Sequence, residues 1–441
     1  MQEYKVAIIG GGPAGMMAAI KAAQILGPKT VCIIEKNDSL GKKLLMTGGG
    51  RCNIANSTPI HDQLNYYNKN KNFLKHALYT LPQDKLLEIF EEKDLEFHIE
   101  DKKRIFPDSE DAQDILDVLE EYLEELEVDI HTNCPINAND IEHELNESME
   151  PVFLIENEKL SLNASKIIVS TGGITYPSTG STGDGYRIAS RMNHTITDIK
   201  PGLVSFNVDD FLLRSLSGLT LSDVELSFKD KKKKISVRGD ALISHFGLTG
   251  PAVIDLSNLL IEKSKFTILD DNLNQKDDDD EIESLELFSN KISIDFSPDM
   301  TEEEIKDQIT KDTPDNGKMA IKNYMKKFLP TNFIDYFLMK INISPSKTMA
   351  NITKKDKNKI AENLKRHPIE IESLEIDLAK VTIGGVKSKE IESKTLQSRF
   401  VDGLYFAGEV LEMAGPTGGY NLQIAFSTGY LAGQEAANSL K

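Results

Sequence analysis

The string Gly10-Gly-Gly-Pro-Ala-Gly15 constrains the fold of this chain more than any other feature. It follows an apolar run over residues 4–9 and opens an Ala- and Met-rich stretch that reaches about Leu26. A second apolar run follows over 30–35. Extended run, glycine turn, helix and second extended run make one βαβ unit. Gly10, Gly12 and Gly15 fill the three glycine places of G-x-G-x-x-G, with Pro13 and Ala14 between them. The first glycine allows the tight turn, the second lets the backbone approach a pyrophosphate, and the third lets helix and strand pack closely. The positive end of the helix then faces the phosphates. The string alone is weak evidence, but strand before and helix after supply the context a dinucleotide site requires. Glu35 ends the second strand 20 residues after Gly15, with Lys36 beside it. An acid at that place accepts hydrogen bonds from ribose hydroxyls and repels a 2′-phosphate, which disfavours NADP there.

The other end of the chain repeats this logic. A strand over 403–407 leads into Gly408 and Glu409, and a glycine-rich turn then carries Gly418, Gly419, Tyr420, Asn421 and Leu422 into a helix over 421–437. An acid after a strand-ending glycine, followed by a glycine-rich helix start, is the pattern by which two-dinucleotide-binding flavoproteins make a second contact with FAD. The acid meets the ribityl chain or pyrophosphate, and the helix start faces the flavin pyrimidine ring. The usual acid is Asp, where this chain has Glu409. A helix N-terminus at that edge favours negative charge on the ring. The expected cofactor is FAD, held at one site assembled from both chain ends.

Three further segments fit that site. Residues 41–53 (GKKLLMTGGGRCN) contain Lys43, Gly50, Arg51, Cys52 and Asn53. Glycines there let the chain pass close to a cofactor, and Arg51 is suited to a phosphate. Ile136, after a strand over 128–133, is placed for adenine. Thr171, Gly172 and Gly173 follow a strand over 166–170 and resemble the turn that crosses FAD.

Between the two ends the texture changes. Residues 72–81, 83–93 and 112–126 have helical patterning, and 152–155 reads as a strand. From about Lys200, short strand signals at 203–208, 224–228 and 235–238 alternate with turn residues. Residues 301–366 are helical and Lys-rich, and 379–383 returns to strand. The acidic run 277–281 reads as an exposed loop. The expected fold class is α/β, with a discontinuous Rossmann-like FAD domain (1–198 and 370–441), an inserted β-rich domain (199–300) and a helical subdomain (301–369).

Bulk properties exclude some functions. A net charge of −19 over 441 residues disfavours a general nucleic-acid binder. The strongest local basic run, residues 229–234 (KDKKKK), reads as a solvated hairpin tip. The opening segment has no basic leader before an apolar core, and 6–26 is explained by strand, turn and helix. A cytoplasmic protein outside the membrane is expected. Cys32, Cys52 and Cys134 have no CxxC spacing, which disfavours structural zinc and a dithiol centre.

The strings GGGPAGMMAA, GKKLLMTGGGRCNIAN, STGGITYPSTGSTGDGY, HFGLTGPAV and GEVLEMAGPTGGYNLQIAFSTGYLAG, spread from residue 6 to 433, resemble those of the BaiN/YhiN-like flavoprotein family. Members are also described as aminoacetone-oxidase-family or NAD(P)/FAD-dependent oxidoreductases. The resemblance implies tightly held FAD, an inserted β-barrel-like domain and a small helical domain. It implies either reduction of an enone, as in bile-acid intermediates with conjugated 3-oxo systems, or oxidation of an amine.

Flavin carries the redox step, so the protein must supply orientation and proton handling. His245, in a turn-rich setting, is the first candidate for a substrate-side acid or base, with a structural hydrogen-bonding role as its alternative. Tyr176 and Cys52 are weaker candidates, since both also read as packing residues. No second Rossmann unit is visible, so NAD(P)H as reductant would have to dock transiently at the flavin face. A small-molecule substrate is expected. A flavin-dependent RNA-modifying enzyme and a non-enzymatic flavin-binding sensor stay open as alternatives.

Overall fold

The computed structural model describes residues 2–145, 151–230, 233–264, 267–269, 273 and 291–441. The acidic run 277–281 and Lys231 and Lys232 lie outside the described residues. The chain forms two compact units. The first comprises Met1–Pro201, Thr267–Lys276 and Lys380–Lys441; the second comprises Gly202–Phe266 and Asp277–Ala379.

The first unit is built on a seven-stranded sheet. Its order runs Asp129–His131, Val31–Ile34, Gln2–Ile9, Ser161–Val169, Pro151–Glu156, Ile141–Leu145, with Leu404–Phe406 also pairing Ser161–Val169. The strands from 129–131 through 161–169, and 404–406, are parallel, while the last two on the path are antiparallel. Val31–Ile34 is buried at every residue. A parallel strand covered on both faces needs such an unbroken apolar run. The strand Leu404–Phe406 places Leu404 opposite Ile167, so the C-terminal segment completes a sheet begun by residue 2. This is the expected α/β class with a Rossmann-like parallel sheet.

Two helices from opposite chain ends close the site's frame. Pro13–Leu26 starts with Gly12 as its N-cap and Pro13 in its first turn. Tyr420–Asn438 packs against it through small residues. A Cβ added at Gly429 would lie 2.1 Å from the Ala14 carbonyl oxygen, and one at Gly433 would lie 2.2 Å from that of Ala18. Backbone touches backbone here, which only residues without a Cβ permit.

The second unit holds a seven-stranded sheet ordered His367–Glu370, Lys291–Asp295, Thr220–Asp230, Lys233–Ile243, Gly247–Thr249, Ser205–Asn207, Ser373–Glu375. Every pairing along it is antiparallel. The two edge strands are neighbours in sequence, separated only by Ile371 and Glu372. At ~3.8 Å per residue step, that link spans at most about 11 Å. The sheet therefore curls until its edges approach, which gives it a barrel-like form. Helices Glu302–Asp312, Ile321–Tyr324, Thr331–Lys340 and Lys354–Lys365 connect Lys291–Asp295 to His367–Glu370. Their apolar residues, among them Ile305, Phe333, Phe337 and Ile360, share one core with Leu226, Ile243, Ile292 and Ile369 of the strands. Capping boxes Thr301/Glu304 and Thr353/Asp356 start two of these helices. Lys229 and Lys234 face each other across the Thr220–Asp230/Lys233–Ile243 hairpin. Among the described residues, no helix is long and apolar enough to cross a membrane.

His367 sits at the centre of this core, 2% exposed, among Phe296, Phe333, Tyr336 and Phe337, with neither ring nitrogen hydrogen-bonded. Burial, reinforced by the Lys340 charge, pushes its pKa down to about 4. The folded-state value lies below the ordinary 6.5, so between those values the unfolded chain binds the extra proton. Stability from this group is complete above about pH 6.5 and falls as pH drops toward 4, by up to ~3 kcal/mol. We expect His367→Phe, which fills the same space without a titrating group, to flatten the loss of Tm on acidification. Identical Tm-against-pH curves for the two proteins between pH ~7 and ~4.5 would refute the assignment.

Candidate functional site

The glycine turn is shaped by two contacts and one gap. Gly10 has φ +107°, and a Cβ there would lie 2.7 Å from the Ser170 carbonyl oxygen. At Gly15 a Cβ would lie 1.9 Å from the Gly10 carbonyl oxygen. Both glycines are required by the protein's own packing. Gly12 differs: a Cβ there would meet nothing within 4 Å. Its missing side chain leaves open the space in front of the first helical turn, whose N–H groups lack intrahelical acceptors. The free approach to the backbone lies where a pyrophosphate requires it.

That space belongs to a cleft of about 1260 Å³, its open mouth included, formed within the first unit. Among the expected residues, Gly10, Gly12, Pro13, Ala14, Glu35, Lys36, Lys43, Ile136, Thr171, Gly172, Gly408, Glu409, Asn421 and Leu422 line it. Residues from both chain ends thus share one cavity.

At one end the Glu35 carboxylate is fixed before any ligand arrives. One oxygen accepts from the Gly11 N–H at 2.7 Å, and the other from the Asn37 N–H at 2.8 Å and its amide Nδ2 at 2.7 Å. A carboxylate has further lone pairs for ribose hydroxyls. Cys134 donates its N–H to the Glu35 carbonyl at 2.9 Å, bringing Cys134 and Ile136 to the same end as cleft walls. Lys36 donates to Thr182 Oγ1 and Asp184 Oδ2, both at 2.6 Å, so its charge is already paired on the cleft wall.

Toward the C-terminal segment, Glu409 is held by the protein as well. Lys43 Nζ lies 2.7 Å from one oxygen, and the Thr382 N–H donates to the other at 2.7 Å. Lys43 also donates to Thr175 Oγ1 at 2.9 Å. Ribityl hydroxyls would meet an ion pair here and not a lone carboxylate. Asn421 and Leu422, at the start of Tyr420–Asn438, line the cleft with Ile424 and Ala425. The Asn421 amide is spent on the turn before it: it accepts from the Gly415 N–H at 2.8 Å and donates to the Gly415 and Pro416 carbonyls.

Other expected residues stand away from the cleft lining. Gly15 packs on its own turn, as above. A Cβ at Gly173 would lie 2.1 Å from Thr382 Oγ1. Gly50, Arg51, Cys52 and Asn53 act as a clamp. Arg51 pairs with Glu100 at 2.8 Å and Glu110 at 2.6 Å, and its guanidinium lies 4.1 Å from the Phe106 ring centre. The phosphate role read for Arg51 is therefore replaced by a tie to the hairpin Phe97–Glu100/Arg104–Pro107. Cys52 is fully buried, and burial pushes its thiol up to about 12, which leaves it packed and unreactive. Asn53, oriented to donate to the Ile105 and Ala55 carbonyls, accepts from the Gly419 N–H at 3.1 Å. Gly50 has φ +92° and donates its N–H to the Thr47 carbonyl, closing the turn before this clamp. Gly418 accepts from Asn56 Nδ2 at 2.9 Å, Gly419 packs on Ala55, and Tyr420 packs on Tyr66 and Tyr67. These residues brace the turn that carries Asn421.

His245 is exposed in the turn between Lys233–Ile243 and Gly247–Thr249 of the second unit, its ring 5.0 Å from Phe246. Tyr176, with φ +58°, caps the short turn Pro177–Thr179, and burial raises its phenol pKa. Sequence reasoning missed Asn37, Thr179, Ser181, Asp184, Val381 and Met413 as cleft walls. Only the run 178–185 (STGSTGDG), with its repeated glycines and hydroxyls, carried a signal for them.

The cleft fits FAD. It has a backbone approach at Gly12, a fixed acid at Glu35 for ribose, an uncharged apolar wall at Ile136, and a helix start at Asn421. Comparison with known proteins agrees with this geometry. Residues 4–435 match the HI0933-like protein Rossmann domain. A 3-dehydro-bile acid delta(4,6)-reductase of Clostridium scindens is 29% identical, over 98% of this chain and 99% of that protein. A ribosomal RNA dihydrouridine synthase of Haemophilus influenzae is 29% identical over 96% of each chain. One of Escherichia coli is 26% identical over 99% of this chain and 98% of that protein. With a match that spans nearly the whole sequence and a cleft shaped for FAD, this chain belongs to the HI0933-like Rossmann family of flavoprotein oxidoreductases.

Proposed function

We propose that this FAD-dependent oxidoreductase reduces a carbon–carbon double bond conjugated to a carbonyl. The observation that carries the reading is the single cleft that joins the Gly12 turn to the Asn421 helix start. Two substrate classes support the same chemistry. The bile-acid reductase is named for Δ4,6 bonds next to a 3-oxo group, and dihydrouridine differs from uridine by two hydrogens across a bond conjugated to a ring carbonyl. Both are enones. Amine oxidation has no such convergence behind it.

When bound and reduced by NAD(P)H, FAD would supply the hydride that such a β-carbon accepts. The chain's residues bind and orient. The Gly12 turn receives the pyrophosphate, Glu35 takes the ribose, and the Lys43–Glu409 pair offers both a donor and an acceptor to the ribityl hydroxyls. The start of Tyr420–Asn438 favours negative charge at the cleft end it lines. His245 is the candidate donor of the proton to the α-carbon, on the chemistry of an exposed imidazole. NAD(P)H is the reductant we assign, docking transiently.

The test is anaerobic. Chemically reduced holoprotein mixed with a steroidal or bile-acid enone should recover oxidised-flavin absorbance with formation of the saturated product. Run with His245→Asn, the same experiment should show reoxidation slowed about a hundredfold if the imidazole gives the proton. Bleaching of the oxidised protein by primary amines, with no response to enones, would replace the reading by amine oxidation.

A further inference from the structure

Three stretches from distant parts of the sequence wall the half of the cleft that Glu35 marks for adenosine. They are the end of Val31–Ile34 with Glu35 and Asn37, the segment after Asp129–His131 with Ile136, and the turn that carries Thr179 and Ser181. One residue meets all three. The Asn37 carbonyl accepts from the Asn133 N–H at 2.6 Å. Its side-chain amide nitrogen has two hydrogens to give. It donates to Glu35 Oε1 at 2.7 Å and to the Thr179 carbonyl at 3.0 Å, across 142 residues of sequence. Both hydrogens are therefore spent on the protein, and neither is left for a ligand.

The turn is shaped to receive that amide. Thr179 closes it with two bonds to the Tyr176 carbonyl, from its N–H at 2.9 Å and its Oγ1 at 2.7 Å. Gly180 follows with φ +96°. A Cβ at Gly180 would lie 2.5 Å from Asn37 Nδ2 and 3.2 Å from Asn37 Cγ and Oδ1, its three nearest neighbours. The missing side chain is what admits the amide to the Thr179 carbonyl. Lys36, next to Asn37, holds the continuation of the run through Thr182 Oγ1 and Asp184 Oδ2. Two adjacent side chains at one strand end thus anchor a run far along the chain. Removing the Asn37 amide would act unequally on its two partners. Glu35 would keep the N–H groups of Gly11 and Asn37. The Thr179 carbonyl would lose the donor that ties its turn to the strand end.

We propose that Asn37 is the positioning residue that closes the adenosine half of the cleft and thereby sets how slowly FAD leaves. It touches no reacting atom and acts through Glu35 and the Thr179–Gly180 turn. The assignment rests on the FAD part of the reading above and not on its enone part.

The experiment dilutes full-length holoprotein and follows FAD release by the rise of flavin fluorescence. Asn37→Ala should release FAD about ten- to a hundredfold faster than the wild type, for the loss of one neutral and one charge-assisted hydrogen bond. Affinity for ADP, titrated into apoprotein, should fall by a similar factor, because ADP needs only the half that Asn37 closes. The apoprotein Tm and the midpoint potential of the bound flavin should stay at their wild-type values. Gly180→Ala reaches the same tie from the other side, since its Cβ displaces the amide, and should also speed release. In the double variant the new Cβ meets no amide, while its backbone strain is common to both backgrounds and cancels. The two effects should then combine to less than their sum on a logarithmic scale. Wild-type release by Asn37→Ala, or additive effects in the double variant, overturns the assignment. So does faster FAD release with ADP affinity unchanged, since the amide would then act on the flavin half. If enones fail to reoxidise the flavin while release behaves as described, the assignment stands and the reduction chemistry falls.

Discussion

Gly12→Val protein is expected to fold normally and to purify without flavin colour. The backbone at Gly12 has φ −81° and ψ −176°, a conformation any residue adopts. A Cβ there meets no protein atom within 4 Å, so the side chain starts into the open cleft and not into the protein's own packing. What it removes is the approach to the first helical turn. A pyrophosphate held off by two methyl groups loses its charge-assisted hydrogen bonds to the N–H groups, each worth ~1.5–3 kcal/mol. Two such losses correspond to an affinity fall of about a hundredfold to ten-thousandfold. The variant's Tm should match that of the wild-type apoprotein within a few degrees. Gly10→Val and Gly15→Val serve as contrasts, because their Cβ atoms collide with backbone oxygens at 2.7 and 1.9 Å and the fold itself should fail. A Gly12→Val protein that retains one FAD per chain would mean that the cofactor does not cross this turn.

The contrast among these glycines shows what sequence can and cannot convey. The spacing of Gly10, Gly12 and Gly15 between a strand and a helix reports a local geometry, and local geometry is legible because all its determinants lie within a few residues. The same holds for Glu35 at the strand end and for the helix that begins beyond Gly419. The run at 48–53 is equally glycine-rich, yet its partners are Phe106, Glu100, Glu110 and Gly419, up to 366 residues away. Glycine signals freedom of the backbone but not what approaches it, so a clamp for the protein read as a cradle for a ligand. Glu409 is a mixed case. Its place on the cleft was legible, while its pairing with Lys43 was not. In the second unit, short alternating runs announced strands, but the strand Ser373–Glu375 pairs with Ser205–Asn207 across about 170 residues of sequence, and no local pattern encodes that closure. The helices Asp184–Arg191 and Pro251–Lys263 and the strand Ile141–Leu145 were not anticipated at all. The first has one short turn pair with few apolar residues, and the third exposes four of its five residues.

The second large effect is expected at the seam between the chain ends. Gly429→Ala should lower the Tm by several degrees and weaken FAD binding together. Two opposing terms decide the sign. Alanine in mid-helix is favoured over glycine by ~1 kcal/mol through helix propensity. Against that, the new Cβ would sit 2.1 Å from the Ala14 carbonyl oxygen, a backbone atom that cannot rotate away. Relieving it means moving Tyr420–Asn438 off Pro13–Leu26 by about an ångström, an overpacking cost of ~1–3 kcal/mol or more. The clash wins, because a helix dipole and its hydrogen bonds move with the backbone whereas a side-chain neighbour could have turned aside. Gly433→Ala meets Ala18 in the same way at 2.2 Å. One displacement of the helix relieves both contacts, so the double variant should cost less than the sum of the singles. Cofactor binding follows because Ala14 and Asn421 line the same cleft from the two helices that would separate. Gly408 reinforces the coupling: it donates to Thr428 on the C-terminal helix at 2.9 Å, and a Cβ on it would lie 2.8 Å from that of Ala14. Thermal melts of apo and holo protein decide the matter. If Gly429→Ala raised the apoprotein Tm, propensity would outweigh contact and the helices would not meet backbone to backbone. If it lowered Tm without touching FAD affinity, the seam would hold the fold alone and the cleft would be set by the strands.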